Sequence, residues 1–198
     1  MREKKNEKRM LNLKEQFLEA VRYIKESKES IYLVIGIFIF GIILSFFWAG
    51  KFSFLNEIIK NILLKTQGLS GFQLIFFILQ NNLQSAFFGL FLGFFFGIFS
   101  ILNAFLNGIV IGYVFFKVWS VSGAADFWRI LPHGIFELPA IFISLGLGVK
   151  LGASLFVKNK KAEFKKRFYN SANAFLMIVL PLLIIAAIIE GALIVFFK

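Results

Sequence analysis

Between Phe72 and Phe116 the chain runs for 45 residues without a single charge. One bilayer crossing needs about 20 predominantly apolar residues. The block is therefore long enough to cross hydrocarbon twice, with one turn inside it. The rest of the chain agrees: 59% of residues are hydrophobic and 29 are Phe, where soluble domains hold roughly 45–50% apolar residues. The fold class is all-α, a polytopic transmembrane helix bundle.

About five spans can be placed. The first covers about 31–49 and reads as a membrane helix rather than a cleavable leader, since no small-residue cleavage site follows it. Segment 50–71 is too charged to cross and holds a short amphipathic helix near Phe54–Lys65. The uncharged block divides best at Ser100–Asn103, giving spans of about 72–99 and 101–119. A short polar loop follows, in which Asp126 can cap a helix over 127–131. The fourth span is about 132–152, kinked at Pro139, which removes a backbone hydrogen bond. Segment 153–170 reads as a basic loop, and the fifth span is about 172–197.

Charge sets the orientation. With the N-terminus inside, inner segments carry sixteen Lys/Arg, nine in 1–30 and seven in 150–167, against six outside. The positive-inside rule places residues 1–30 and the basic loop in the cytoplasm and segment 50–71 outside the cell membrane. The net charge of +11 is thus a matter of topology and anionic lipid at the basic loop, not of nucleic acid. In the N-terminal segment Leu13, Phe17, Ala20, Val21 and Ile24 form a narrow apolar stripe, that of a solvated helix leading into the first span.

Small residues recur every fourth position. Asn81, Ser85, Gly89, Gly93 and Gly97 share one helix face, as do Ser100, Ala104, Gly108 and Gly112, and then Ser144, Gly148 and Gly152. In lipid, such faces let backbones approach and pack. They serve packing within the bundle or a homodimer interface.

Polar residues gather at one depth. His133 and Glu137 lie one turn apart at the outer start of the fourth span. Glu190 is eighteen residues beyond Ala172, about 27 Å along a helix that starts inside. Asn81 and Asn82 occupy the outer part of the second span, whereas Asn103 and Asn107 form a secondary pair at the inner start of the third. A carboxylate in hydrocarbon needs a partner, water or a proton. Three readings of the cluster of His133, Glu137, Glu190, Asn81 and Asn82 remain open. It is a hydrogen-bonded knot fixing the bundle, a site that binds or conducts an ion or small substrate, or a metal centre in which His133, Glu137 and Glu190 hold a divalent ion such as zinc. Thiolate chemistry is excluded, since the chain has no Cys. No nucleophile elbow, phosphate loop or dinucleotide fingerprint points to an enzyme.

The stretch "ILPHGIFELPAI" followed by "GLGVKLG" resembles the signature of the stage II sporulation protein M family. The segments "FILQNNLQSAFFGLFLGFFFGI", "LNGIVIGYV" and "LIIAAIIEGALI" look like that family's other spans. Pro132, His133, Gly134, Glu137 and Pro139 match its central motif, and Asn81, Asn82, Asn107, Gly108 and Glu190 its other polar and glycine positions. The resemblance implies an all-helical membrane protein whose namesake, in spore formers, anchors wall-degrading partners during engulfment. The reading taken together is a non-enzymatic membrane scaffold whose outer-leaflet polar site fixes the bundle and docks a protein partner or a ligand.

Overall fold

The computed structural model describes residues 2–123 and 131–196, with side chains over 12–123 and 134–193. Among the described residues all regular structure is helical. The helices are α1 (Arg2–Lys25), α2 (Lys28–Phe47), α3 (Leu55–Thr66), α4 (Gly71–Phe91), α5 (Ile98–Ser122), α6 (Leu131–Gly152), α7 (Lys160–Ala174) and α8 (Leu180–Phe196). A π-helical turn, Phe175–Val179, joins α7 to α8. Five of these helical stretches are long and apolar enough to cross a membrane: α2, α4, α5, α6 and the joined α7–α8.

The helix α6 is the central pillar. In it 56% of the apolar span is buried against protein, against 22–33% in the other four. Residues 144–148 are buried on every side, the pattern of a helix enclosed by its neighbours rather than facing a solvent or lipid on one side. It packs on α2, α4, α5 and α8. The outer helices turn Tyr32, Phe40, Phe47, Phe72, Phe76 and Ile188 outward, apolar surface that only lipid can cover.

Small residues set the spacing. α2 and α5 form the most extensive contact, through Val34, Phe38, Gly41 and Ser45 on one side and Ala104, Gly108 and Gly112 on the other. A Cβ on Gly41 would lie 2.6 Å from the Phe105 carbonyl oxygen, and one on Gly108 would strike the backbone of Phe38. Where α4 ends against α6, a Cβ on Gly93 would lie 2.5 Å from the Gly148 carbonyl oxygen. Serines tie the same seams. Ser144 Oγ donates to the Ala86 carbonyl at 2.7 Å, and Ser100 Oγ to the Gly89 carbonyl at 2.6 Å. With no hydrophobic drive between helices in lipid, close contact and such hydrogen bonds supply the attraction.

The turn between the second and third spans falls earlier than Ser100–Asn103. α4 stops at Phe91 and α5 starts at Ile98. Gly97 has φ 76° and Phe96 φ 58°, a left-handed pair that reverses the chain within a few residues. A side chain on Gly97 would also press on the backbone of Val149.

Segment 153–170 is not a loop. After a short 3₁₀ turn at Ala153–Phe156, α7 starts at Lys160 and runs on into the last span. The apolar stripe of α1 is covered only in its later part: α1 lies on α7 with Ala20 buried in the main core and Ile24 packed against it, while Leu13 and Phe17 stay exposed. Lys150 Nζ donates to the Glu26 carbonyl at 2.8 Å and to Ser27 Oγ at 3.0 Å, satisfying the break between α1 and α2, and it stands 4.4 Å from the Tyr23 ring centre. Arg167 bonds the Lys150 carbonyl and the Glu163 carboxylate, each at 2.7 Å. Burial holds the Tyr23 hydroxyl above its ordinary pKa. α6 runs on through Pro139 as one helix. The proposed cap at Asp126 lies outside the described residues.

Gly108→Leu should lower the unfolding free energy by about 3 kcal/mol, the upper range for overpacking. Gly36→Ala, with nothing within 4 Å of the new methyl, should leave it unchanged or raise it. Thermal unfolding of the purified variants in one detergent checks the contrast.

Candidate functional site

Opposite the end occupied by α1, α7 and Lys150, the helices part around a cavity of about 1130 Å³. The topology accounts for its walls. It is lined by the first halves of α4 and α6, the second half of α5, the far end of α8, and α3 with the turn after it. The segment α3 is held loosely. Leu55 is buried against Ala49, Ile109 and Tyr113, and Tyr113 Oη donates to Asn56 at 2.9 Å, while Ile58, Ile62, Leu63 and Leu64 stay exposed.

Most of the lining is apolar, from Leu74, Phe77, Ile78, Ile111, Val114 and Leu138 among others. Its polar groups come from Thr66 and Gln67 at the end of α3 and from four spans: Asn81 and Asn82 on α4, Asn107 on α5, Glu137 on α6 and Glu190 on α8. They are linked in order. Asn81 Nδ2 donates to Asn82 Oδ1 at 3.3 Å, and the Asn82 side chain in turn hydrogen-bonds Glu137. The Glu190 and Glu137 carboxyl groups are close enough to interact electrostatically. Among the described side chains, none donates a hydrogen bond to Glu190. Among the described residues, no Lys or Arg lines the cavity.

Asn107 lines the cavity with this group and also pairs with Asn103. α5 starts at Ile98, so Asn107 is nine residues into the helix, about 13 Å from its start. Its Nδ2 donates to the Asn103 carbonyl at 2.9 Å and to Asn103 Oδ1 at 2.8 Å. Asn103 sits one turn deeper and accepts from Ser85 of α4 at 3.2 Å. The polar lining thus tapers from the cavity into the Ser100 and Ser144 seams, where backbones touch. Sequence depth misplaced Asn107 because the preceding turn was set too late. Contributions from α3 had no signal beyond its amphipathic spacing.

Gly134 lines the cavity beside Glu137, and Pro139 lies just beyond it in α6. His133 is one turn before Glu137 on α6, but its side chain and that of Pro132 lie outside the described residues. Among the described residues no three His, Cys, Asp or Glu side chains are grouped to hold a metal ion, so a zinc site there would require His133. Gly89, Gly148 and Gly152 lie on the α4–α6 seam, away from the cavity.

Four apolar helices around a fifth, buried one, with a part-polar cavity at one end, define a polytopic α-helical membrane protein that sits in the lipid bilayer. A family model described as stage II sporulation protein M matches residues 34–193. The chain belongs to that family. No curated protein and no solved structure matches it.

Asn82→Leu removes the link between Asn81 and Glu137. It should cost about 1 kcal/mol of stability, the usual size of one hydrogen bond between membrane helices, while Asn82→Gln should cost less. Thermal unfolding in detergent reads both.

Proposed function

We propose that this protein is a non-enzymatic scaffold of the cell membrane whose cavity docks a ligand or partner segment. The observation that carries this reading is where the polar groups stand. Asn81, Asn107, Glu137 and Glu190 lie on the wall of an open cavity instead of filling one another's hydrogen bonds in a closed knot. An intramembrane ionisable residue is a functional site by default, because its insertion cost has to be met by something. A pocket with mostly apolar walls and a few convergent polar groups is the usual form of a small-molecule site.

The sixteen-to-six Lys/Arg asymmetry orients the chain with α1, α7 and Lys150 in the cytoplasm, near anionic lipid, and the cavity toward the outside. Conduction of an ion past His133, Glu137 and Glu190 is the alternative. It is disfavoured by the seam below the cavity, where Gly93 meets Gly148 and Ser100 meets Gly89 without a gap.

Native mass spectrometry of protein extracted from its own membranes tests the docking reading. An adduct of discrete mass should survive on the wild type and be lost from Ile111→Trp, which fills the cavity. Bare protein in both, or the same adduct on both, contradicts it. Liposomes containing the protein should pass no more K⁺ or H⁺ than empty ones, and Glu190→Gln should not change this.

The orientation has its own test. The chain has no native Cys, so single replacements report cleanly. In intact cells, Lys65→Cys should react with an impermeant maleimide and Lys158→Cys should not. The reverse pattern inverts the topology.

A further inference from the structure

We infer that the cavity takes an amphiphilic cation bearing N–H donors, an alkylammonium with one charged nitrogen and an apolar chain. The inference rests on the reading of the cavity as a binding site and names its occupant.

Charge comes first. Among the described residues, the lining offers two carboxyl groups from separate helices and no Lys or Arg, in a chain that carries 22 Lys/Arg and 11 Asp/Glu. Lys150, Arg167 and most of the other basic groups lie at the opposite end. An anion entering the cavity would find no counter-charge among the described lining residues. A cation would find two, in surroundings where screening by water is weak.

Hydrogen-bonding capacity sharpens the class. Asn107 donates twice to Asn103, and Asn81 and Asn82 each donate once within the protein, to Asn82 and to Glu137. The acceptors left on the wall include the Glu190 carboxyl group, the rest of the Glu137 carboxyl group and Asn107 Oδ1. A ligand that brings donors satisfies them. An alkylammonium brings three, whereas a quaternary ammonium brings none.

Size points to an occupant larger than a single ion. At about 1130 Å³ the cavity exceeds the range of ordinary drug-sized pockets, roughly 300–1,000 Å³. Its remaining wall, from Leu74, Phe77, Ile78, Ile111 and Val114, is apolar. Such a wall offers an ion no ligands, but it covers an alkyl chain at a gain proportional to buried area.

The test uses the whole protein in lipid nanodiscs and three photoreactive probes of one chain length: a dodecylamine, its trimethylammonium analogue and the matching alcohol. Each carries a diazirine at the chain end, and labelled peptides are mapped by mass spectrometry. The dodecylamine probe should label peptides of α3, α4 and α8, and excess unlabelled dodecylamine should suppress this. Glu190→Gln and Glu137→Gln, near-isosteric and monodisperse by gel filtration, should each weaken that competition about tenfold or more, as expected for loss of a charge pair. Ile111→Trp should abolish labelling. Competition by lysophosphatidylethanolamine as well assigns the ammonium to a lipid headgroup, and competition by dodecylamine alone assigns it to a free amine; either supports the inference. Equal competition by all three head groups, or no effect of either Gln variant, overturns it while leaving a binding cavity in place. Failure of every probe to give saturable labelling overturns both the inference and the docking reading.

Discussion

Helices surrounded by lipid gain nothing by burying leucine against leucine, because lipid tails solvate leucine equally well. What draws this bundle together is the approach of backbone to backbone, allowed by glycine, alanine and serine at fourfold spacing. Gly41 against Phe105, Gly108 against Phe38 and Gly93 against Gly148 are all contacts that a methyl group would block. Ser144 and Ser100 then use the short distance to donate across the seam. The central burial of α6 follows from these contacts, since Gly148 and Gly152 admit α4 and its turn while Gly146 admits Ile31 of α2.

Packing this close at one end forces a different solution at the other. Past Asn107 on α5 and before Leu138 on α6, the facing residues are Ile111, Val114, Phe77 and Ile78, too large for backbone contact. The helices diverge, α3 roofs the gap, and the polar groups of four spans meet an open space. The basic end closes through donors of its own: Lys150 and Arg167 hold the α1–α2 break, the end of α6 and the start of α7 in one network. One molecule thus has a sealed end tied by Lys150 and Arg167 and an open end where Glu137 and Glu190 line a cavity.

Much of this was written plainly in the chain. An uncharged stretch of 45 residues permits nothing but membrane helices, and the family motif around Glu137 is specific. The glycine stripes announced close packing but not the partners. Gly41 and Ser45, four apart on α2, face Gly108 and Gly112 and could have been paired with them by spacing alone. Harder to see was the reversal at Phe96–Gly97, since a left-handed pair in a run of Phe and Gly carries no polar turn signal. Placing that turn too late displaced Asn107 from the cavity. α7 was also concealed, because its Lys-rich sequence reads as loop until α1 is laid against it. No local pattern foretold that α3 would roof a cavity, which depends on how far α4 and α5 stand apart.

The central claim is that one face of α5 passes from sealed contact to open cavity between Ala104 and Ile111. In a chain free of cysteine, single Cys replacements along α5 read this directly through their rate of reaction with a small cationic methanethiosulfonate, which modifies thiols only where water reaches them. The account predicts reaction at positions 107, 111 and 114, and silence at Ala104 and at the lipid-facing Leu106. Silence at 107 and 111, or equal reaction at Ala104, would contradict it.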